Sequence, residues 1–318
     1  MRSLCVRING NICSLIANFT NMKIRRIWPD NQPAPTIQML GDEHWEEFTQ
    51  PIPFVVGSGR RFPGDDFVNC LPFQPTSFRD FMLYEQHAID AARGYVKRFM
   101  PSAYKAVTLY EHFSGRTFPK FKPKPIWYQQ PIYYMSNHQT FVPSGTAVRA
   151  PSYTSAFDYE LELGFVLAKP LLNPTPEEAL NAIGAFVVLC DFTARDVQLA
   201  EMESGFGPQK AKHFLSSMSE VAVTADEILP RVNQLNATIA IDGKIVKRTS
   251  TAGMQHSIGQ VLAHAAKDEQ LFPGELFGTG TLPGGSGLEN GHWLKEGCTL
   301  HLTIEGIGEI KHQILGRF

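Results

Sequence analysis

The chain has 318 residues, of which 43% are hydrophobic and 11% aromatic, enough to bury a core and too apolar for an intrinsically disordered protein. Its formal charge of -2 at pH 7 and its scattered basic residues argue against a nucleic-acid-binding surface and against binding to anionic membranes. No apolar stretch reaches the roughly 18 residues that a membrane-spanning helix needs, so we expect neither nucleic acid nor a membrane as a partner.

The cysteines and the N-terminal charges bear on the compartment. The five cysteines form no C-x-x-C pair, which argues against a disulfide framework or a thiolate zinc site and favours a reducing compartment. The first 29 residues contain five basic residues and no acidic one, a pattern weakly similar to a mitochondrial transit peptide. We therefore predict a cytoplasmic protein, with a mitochondrial location as the alternative.

The chain changes character at about residue 75. Residues 1–75 have no clear hydrophobic period and are interrupted by prolines, which predicts a variable, partly β N-terminal region ahead of a main domain over 76–318. The pattern then predicts a helix over Tyr84–Met100 that ends before Pro101. Residues 116–151 are rich in proline and aromatic side chains, a composition typical of extended loops and short strands.

The middle of the chain contains an alternating strand and a capped helix. Polar and apolar residues alternate over Asp158–Leu167, which predicts a strand. A capping-box pattern at 175–178 predicts a helix that continues to Ala185. The apolar run Phe186–Cys190 then predicts a buried strand that ends at Asp191.

Hairpin signals dominate the last third. Asp242-Gly243 separates two strand-like runs within 236–248, and a second hairpin is predicted over 300–314. Between them lie a predicted helix over Ser257–Lys267 and a glycine-rich loop over Gly278–Gly287. Because strands outnumber helices and their connections are hairpin-like, the predicted fold class is α+β.

Two carboxylates in the alternating strand are the first candidate functional residues. Glu160 and Glu162 point to the same face, about 6.5–7 Å apart along the strand, so they repel each other unless a positive group lies between them. A hard divalent cation such as Mg²⁺ or Ca²⁺ prefers oxygen ligands, although an isolated pair of this kind is more often a solvated strand face. Asp191 adds a charge at the end of a buried strand, where it needs a partner.

Three further residues favour metal-assisted hydrolysis. Asp80 precedes the helix that carries His87, and Lys212 follows a turn that begins with glycine. A set of carboxylates with a histidine and a lysine is what such a reaction uses. Spacing alone leaves alternatives, because His87 also suits a core histidine and Lys210 competes with Lys212 for the basic role.

The order and spacing of six short segments resemble the fumarylacetoacetate hydrolase family over about residues 75–318. The most specific segment is the D-[WVF]-[ST]-A-R-D-x-Q block, matched by Asp191–Gln198. The other five are Asp80-Phe81-x4-Gln86-His87, Asp158-Tyr159-Glu160-Leu161-Glu162, Ala211-Lys212-His213-Phe214, Gly274-Glu275-Leu276-x3-Gly280-Thr281 and Gly285-Ser286-x-Leu288-Glu289. The resemblance implies a mixed, mainly antiparallel β-roll with peripheral helices, and it makes 76–318 the catalytic domain.

The resemblance also implies roles for individual residues. The implied ligands of Mg²⁺ or Ca²⁺, with Mn²⁺ as an alternative, are Asp80, Glu160, Glu162 and Asp191. The implied catalytic residues are the general base His87, its partner Glu289, and the two stabilisers of negative charge on oxygen, Lys212 and Gln198. Tyr134 and Thr281 are expected to line the substrate pocket, whereas Arg195 and Asp196 are expected to form a structural ion pair.

Three positions in the implied substrate pocket differ from the pattern of fumarylacetoacetate hydrolases. Met82 and Met202 stand where those enzymes carry tyrosines, and Val96 stands where they carry an arginine. Methionines make an adaptable apolar wall, and Arg93, one helical turn before Val96, could bind a single carboxylate. We therefore expect a monoacid with an apolar or aromatic acyl tail rather than fumarylacetoacetate itself.

The implied reaction is the hydrolysis of a carbon–carbon bond in a small β-diketone-type acid, an acylpyruvate or a fumarylacetoacetate-like compound. Members of the family also tautomerise, isomerise or decarboxylate related oxo acids, and the presence of His87 and Glu289 favours hydrolysis. A non-catalytic, metal-stabilised scaffold or binding protein is the alternative from another class. The resemblance and the apolar stretch 116–151 together predict a homodimer.

Overall fold

The computed structural model describes residues 22–29, 33–41, 43–57 and 70–318. Part of the transit-peptide-like segment, including Arg2 and Arg7, lies outside the described residues, as do Cys5 and Cys13. Within the described ranges, no helix is long and apolar enough to cross a membrane.

Strands make up most of the regular structure. They are β1 Lys23–Ile27, β2 Thr36–Leu40, β3 Trp45–Glu47, β4 Ser77–Phe81, β5 Tyr133–Ser136, β6 Phe141–Pro143, β7 Val148–Arg149, β8 Phe157–Asp158, β9 Glu160–Leu167, β10 Ile183–Asp191, β11 Thr193–Ala194, β12 Ser216–Met218, β13 Val221–Thr224, β14 Asn236–Ile241, β15 Lys244–Ser250, β16 Glu275–Ser286, β17 Thr299–Ile304 and β18 Gly308–Leu315. The helices are α1 Glu85–Phe99, α2 Pro101–Ser114, α3 Pro125–Gln129, α4 Pro176–Leu180, α5 Arg195–Glu203, α6 Ala225–Ile228, α7 Ile258–Ala265 and α8 Gly287–Asn290.

The described strands form one large sheet, one smaller sheet and a two-stranded antiparallel pair of β8 and β11. The large sheet has the order β3-β2-β1-β13-β10-β9-β16-β4-β5, with β12 beside β10 and β6 beside β12. The smaller sheet has the order β15-β14-β17-β18-β7. Neighbouring strands are antiparallel except in the pairs β16–β4, β12–β6 and β18–β7. The predicted class, α+β with mainly antiparallel sheets and peripheral helices, is confirmed.

The described part of the N-terminal region extends the large sheet. Strand β1 pairs with β13, and β2 and β3 follow outward as further antiparallel strands. Ile24 of β1 is fully buried in the core on one face of the sheet. The predicted boundary between 1–75 and 76–318 stays a prediction.

Local sequence signals are confirmed where they act within a few residues. The capping box of α4 forms, with reciprocal hydrogen bonds between Thr175 and Glu178. The hairpin turn also forms, and both turn residues have positive φ, 53° at Asp242 and 74° at Gly243. The helix predicted from Tyr84 is α1, which Tyr84 precedes as the N-cap residue.

The first helix ends before Pro101, as predicted, and Pro101 begins α2, because proline fits the first turn of a helix, where its missing N–H is not needed. Two of the predicted elements were wrong in extent or kind. Helix α4 ends at Leu180, since Ile183–Asp191 pairs with β9 instead. The expected glycine-rich loop over 278–287 is largely strand β16, whose register shifts twice and so absorbs the glycines as bulges.

Candidate active site

One face of the large sheet changes from apolar to acidic along three of its strands. On β10, alternate side chains from Ala185 to Leu189 pack in the core on that face, and Asp191 continues the same row. On β9, Glu162 and Glu160 continue the row of Val166, and on β4 Asp80 follows Phe78. Because strand side chains alternate with a period of two, the four carboxylates come to the same face and the same end of the sheet.

Three of these carboxylates form a compact group. Asp80, Glu162 and Asp191 each offer an oxygen, and these oxygens all lie within 4.8 Å of one another. Within the described residues, Asp80 Oδ1 and Glu162 Oε2 are buried and receive no hydrogen bond from the protein. Burial first, and the charge of Asp191 second, raise the pKa of Asp80 to about 7, and burial with the neighbouring acids raises the pKa of Glu162 well above its usual value.

The arrangement fits a divalent cation. Five carboxylates are buried in this cluster, those of Asp80, Asp158, Glu160, Glu162 and Asp191, and they face two buried cations, Lys212 and Arg195. The excess of negative charge and the free oxygens are what a hard cation would satisfy. Gly278, opposite Asp80 in the β16–β4 pair, leaves the needed space, because a Cβ there would lie 2.5 Å from Asp80 Oδ1 and 2.8 Å from Glu162 Oε2.

Glu160 differs from the other three carboxylates because it binds two cations of the protein. Arg195 Nη2 lies 2.7 Å from Glu160 Oε1, and Lys212 Nζ contacts Glu160 Oε2. Burial alone would raise the pKa of Glu160, but Arg195 and Lys212 bring that pKa well below its usual range. The part of Glu160 as a metal ligand stays a prediction.

Lys212, rather than Lys210, lies in the cluster. Its Nζ is 2.7 Å from Asp191 Oδ2, and its side chain is buried, whereas Lys210 is exposed. Burial lowers the pKa of Lys212, but Asp191 and Glu160 outweigh that effect and raise it, so the ammonium stays charged. A fixed positive charge therefore lies beside the carboxylate trio.

The expected ion pair between Arg195 and Asp196 was wrong. Arg195 points inward, with Nε 2.8 Å from Asp158 Oδ2, while Asp196 accepts hydrogen bonds from Thr154 and Ser155. The two side chains begin α5 at adjacent positions about 100° apart around the helix, so they face different surroundings. Arg195 Nη1 also donates to Gln198 Oε1 at 3.0 Å, which leaves the amide NH₂ of Gln198 as a donor.

His87 and Glu289 meet beside this cluster. His87 Nδ1 lies 3.0 Å from Glu289 Oε2, and both side chains are almost fully buried. Glu289 is held in place by the backbone N–H groups of Gly284 at 2.8 Å and Ser286 at 3.1 Å. Burial lowers the pKa of His87, but Glu289 and then Glu160 raise it overall. With Nδ1 facing Glu289, the Nε2 atom is the one left to exchange a proton with a reactant.

Two predicted pocket residues contact the carboxylate trio. Tyr134 of β5 donates its hydroxyl to Asp191 Oδ2 at 2.8 Å. Burial and the charges of Asp191 and Asp80 raise the pKa of Tyr134 well above its usual value, so the phenol stays protonated. Thr281 lies opposite Glu162 in the β16–β9 pair, with Oγ1 at 3.5 Å from Glu162 Oε1.

The three residues predicted to set specificity lie farther out. Met82 is half-buried directly after β4, and a Cβ at Gly280 would lie 3.0 Å from its Cα. Met202 is 53% exposed on α5. Arg93 donates hydrogen bonds from Nε at 3.1 Å and from Nη2 at 3.0 Å to the carboxylate of Glu111, and from Nη1 to Asp90. Its role towards a substrate carboxylate therefore stays a prediction.

The sequence interpretation missed the roles of three residues of the site. Asp158 lies two residues before Glu160, so the alternation of side chains along a strand could have placed it on the same face as Glu160 and Glu162. Gly278 carries no signal in a single sequence, because its role is the space that it leaves for Asp80 and Glu162. Arg195 was noticed but given the wrong partner, since its acceptor Asp158 is 37 positions away.

The chain is similar in sequence and in fold to known proteins. The family model described as Fumarylacetoacetate (FAA) hydrolase C-terminal matches residues 107–315. "Oxaloacetate tautomerase FAHD1, mitochondrial" of Homo sapiens is 28% identical over 178 residues, which is 56% of this chain and 78% of that protein. Among solved structures, a fumarylacetoacetate hydrolase from psychrophilic Exiguobacterium antarcticum matches with a TM-score of 0.66 and 19% identity, over 93% of this chain and 100% of that one. A 2-hydroxyhepta-2,4-diene-1,7-dioate isomerase from Mycobacterium marinum matches with a TM-score of 0.65 and 19% identity, over 93% and 98%. Because the family model covers more than half of the chain, the protein belongs to the fumarylacetoacetate hydrolase family.

Proposed function

We propose that this protein is a divalent-metal-dependent hydrolase that cleaves a carbon–carbon bond in a small β-diketone-type acid. The observation that carries the proposal is the contact between His87 and Glu289, 3.0 Å long, beside the buried carboxylates and Lys212. A histidine held by a carboxylate is suited to take a proton from water, which hydrolysis requires and tautomerisation does not.

The cation would be held by Asp80, Glu162 and Asp191, with Glu160 as the fourth ligand that the family resemblance implies. An all-oxygen set of this kind suits Mg²⁺, Ca²⁺ or Mn²⁺. A divalent cation bound there supplies Lewis-acid polarisation of the carbonyl under attack. Because the trio is buried, the field of such a charge is weakly screened, which strengthens its effect on a bound oxo acid.

The residues of the chain account for the proton transfers. His87 Nε2 removes a proton from water while Glu289 stabilises the resulting imidazolium, and the hydroxide adds to the acyl carbonyl. The Lys212 ammonium, with the Gln198 amide as a second donor, compensates the negative charge on the tetrahedral oxygen. When the carbon–carbon bond breaks, its electron pair leaves with the departing carbon, which takes back the proton from His87. Water thus contributes OH to one product acid and H to the other.

The departures of this chain from the fumarylacetoacetate hydrolase pattern support an apolar acyl tail in the substrate. Met82 and Met202 stand where that pattern has tyrosines, so a dicarboxylate substrate would lose two hydrogen-bond donors. Thr281 and Tyr134 lie beside the trio and suit the oxo-acid end of a substrate. We therefore propose an acylpyruvate, or a related monoacid, as the substrate class.

A tautomerase is the second candidate function. The relative from Homo sapiens is named an oxaloacetate tautomerase, and the isomerase from Mycobacterium marinum has the same fold. Enolate stabilisation by the same carboxylate and lysine cluster would serve that reaction without water attack, and it would serve a decarboxylase equally. A non-catalytic scaffold is the third alternative, and it would bind a metal without turning over any oxo acid.

The deciding experiment is a substrate panel with the His87→Ala variant beside the wild type. Acylpyruvates, 3,5-dioxo acids, fumarylacetoacetate and oxaloacetate are supplied with Mg²⁺, and loss of the enol absorbance is followed together with the release of two acids. We expect two product acids from an acylpyruvate, no turnover after EDTA treatment, and recovery with Mg²⁺, Mn²⁺ or Ca²⁺. Loss of enol absorbance without product acids would favour the tautomerase. Full activity after thorough chelation would refute the requirement for a divalent metal.

A further inference from the structure

The Asp158 carboxylate is a fully buried group for which the proposed mechanism has no use. Its Oδ1 accepts hydrogen bonds from the backbone N–H groups of Tyr159 at 2.9 Å and Gly287 at 2.8 Å. Its Oδ2 accepts from the N–H of Leu288 at 3.0 Å and from Arg195 Nε at 2.8 Å. Four donors from three separate segments thus converge on one side chain that is 0% exposed.

Two of these donors belong to the first turn of α8, the helix that carries Glu289. N–H groups at the start of a helix have no partner within the helix, so a carboxylate that accepts two of them fixes where the turn begins. Gly287 is required for this approach, because a Cβ there would lie 2.5 Å from Asp158 Oδ1. From this anchored turn, Glu289 reaches to within 3.0 Å of His87 Nδ1.

The fourth donor connects Asp158 to the charged cluster. Arg195 bridges Asp158 and Glu160, and Glu160 contacts Lys212 in turn. Arg195 is 2% exposed, and a buried guanidinium needs carboxylate partners on more than one side. The Asp158 carboxylate therefore holds both the α8 turn that carries Glu289 and the guanidinium of Arg195 beside Glu160.

We propose that Asp158 is a positioning residue that holds the Glu289 turn against His87 and so keeps the general base aligned. This rests on the proposed function, because it assumes that His87 activates water. Asp158 contacts neither the carboxylate trio nor the His87 ring, so it can act only through Glu289 or through Arg195. We assign its effect on catalysis to Glu289, because Arg195 keeps Glu160 as a partner when Asp158 is lost. Its loss should lower kcat, while KM and metal affinity change little.

The test uses Asp158→Asn, which keeps the shape of the side chain but turns its NH₂ group towards one pair of donors, either Tyr159 and Gly287 or Leu288 and Arg195. Asp196→Asn is the matched control, since Asp196 neighbours Arg195 and binds only Thr154 and Ser155 among the described contacts. For Asp158→Asn we expect hydrogen exchange in the peptide 284–293 to rise at least about tenfold. We also expect kcat to fall about 10- to 100-fold, with KM and the Kd for Mn²⁺ within about twofold. The control should change none of these values.

A double-mutant comparison separates positioning from a general structural role. If Asp158 acts through Glu289, the Asp158→Asn/Glu289→Gln protein should be no more than about threefold slower than Glu289→Gln alone. Effects on kcat that multiply in the double variant would overturn the proposal. A fall in Mn²⁺ affinity as large as the fall in kcat would overturn it too.

A second variant covers the case in which Asp158→Asn does not fold. Gly287→Ala removes no buried charge, but its Cβ would lie 2.5 Å from Asp158 Oδ1 and 2.8 Å from the backbone oxygen of His292. It should therefore displace the α8 turn from Asp158 and give the same changes in hydrogen exchange and kcat. Unchanged exchange over 284–293 in the folded variants would refute the positioning role whatever the reaction. Faster exchange in a protein that hydrolyses no oxo acid would refute the proposed function, while the anchoring of α8 by Asp158 would stand.

Discussion

Replacing Gly278 with alanine tests whether the carboxylate trio is shaped for a cation. The added Cβ would lie 2.5 Å from Asp80 Oδ1 and 2.8 Å from Glu162 Oε2, whereas ordinary contact begins at 3.4 Å. Both carboxylates must therefore move by roughly 0.6–0.9 Å, well beyond the ~0.2 Å that a metal site tolerates in its ligand distances. The displaced groups are the two whose oxygens lack a protein donor, so the change acts on the site itself.

The expected loss differs between metals. Mg²⁺ requires near-octahedral ligands at about 2.0–2.1 Å, whereas Ca²⁺ accepts about 2.3–2.6 Å with flexible geometry. We expect Gly278→Ala to weaken Mg²⁺ binding about 10- to 100-fold and Ca²⁺ binding less. Isothermal titration calorimetry on chelator-stripped protein measures both affinities without any substrate.

The control is Gly41→Ala, in the turn between β2 and β3, where the nearest atoms to an added Cβ are at an ordinary 3.5 Å. Overpacking at Gly278 should also cost about 1–3 kcal/mol of stability, so a thermal melt must first show that the variant is folded at the titration temperature. A folded Gly278→Ala protein that binds Mg²⁺ as tightly as the wild type would refute the assignment of Asp80 and Glu162 to the metal.

Four further predictions concern the reaction and the assembly. His87→Ala should lower kcat about 100-fold or more while Mn²⁺ binding survives, and near-normal turnover would exclude His87 as the general base. Glu289→Gln should shift the acidic limb of the kcat/KM profile to lower pH, because Glu289 raises the pKa of His87 and the base works only above that pKa; an unshifted limb would count against the pair. Fumarylacetoacetate should be a poor substrate beside acylpyruvates, given Met82 and Met202, and the highest kcat/KM for it in the panel would contradict this. Sedimentation at micromolar protein should show a homodimer, and a species of only 35.5 kDa would contradict that expectation.

Much of the site was predictable from the sequence because it depends on the alternation of side chains along a strand. Glu160 and Glu162 are two residues apart, so any strand brings them to one face, and the end of a buried strand marked Asp191. Asp80, His87 and Lys212 were candidates from their positions in the sequence, and the family resemblance gave them roles and added Glu289. The structure brings the carboxylates and Lys212 together, with the pair of His87 and Glu289 beside them.

The sequence could not predict which of the similar carboxylates is paired with a cationic side chain and which keeps a free oxygen. Glu160 is neutralised by Lys212 and Arg195, whereas Glu162, two residues later on the same strand, keeps an oxygen free. Which carboxylate is paired depends on where Arg195, at the start of α5, and Lys212 lie relative to the end of the sheet. Their positions are set by packing between distant parts of the chain.

The sequence by itself determined the elements whose physics is local: the capping box at Thr175, the turn at Asp242-Gly243, and the shared face of alternate acids. Only the tertiary structure decided that the glycines from Gly278 to Gly285 lie in a strand, that Arg195 binds Asp158, and that α8 is anchored by that carboxylate. The physical reason is distance along the chain, since a capping box joins groups three residues apart, whereas the contact of Asp158 with Gly287 spans 129. Such a contact forms only after the sheet has brought its strands together.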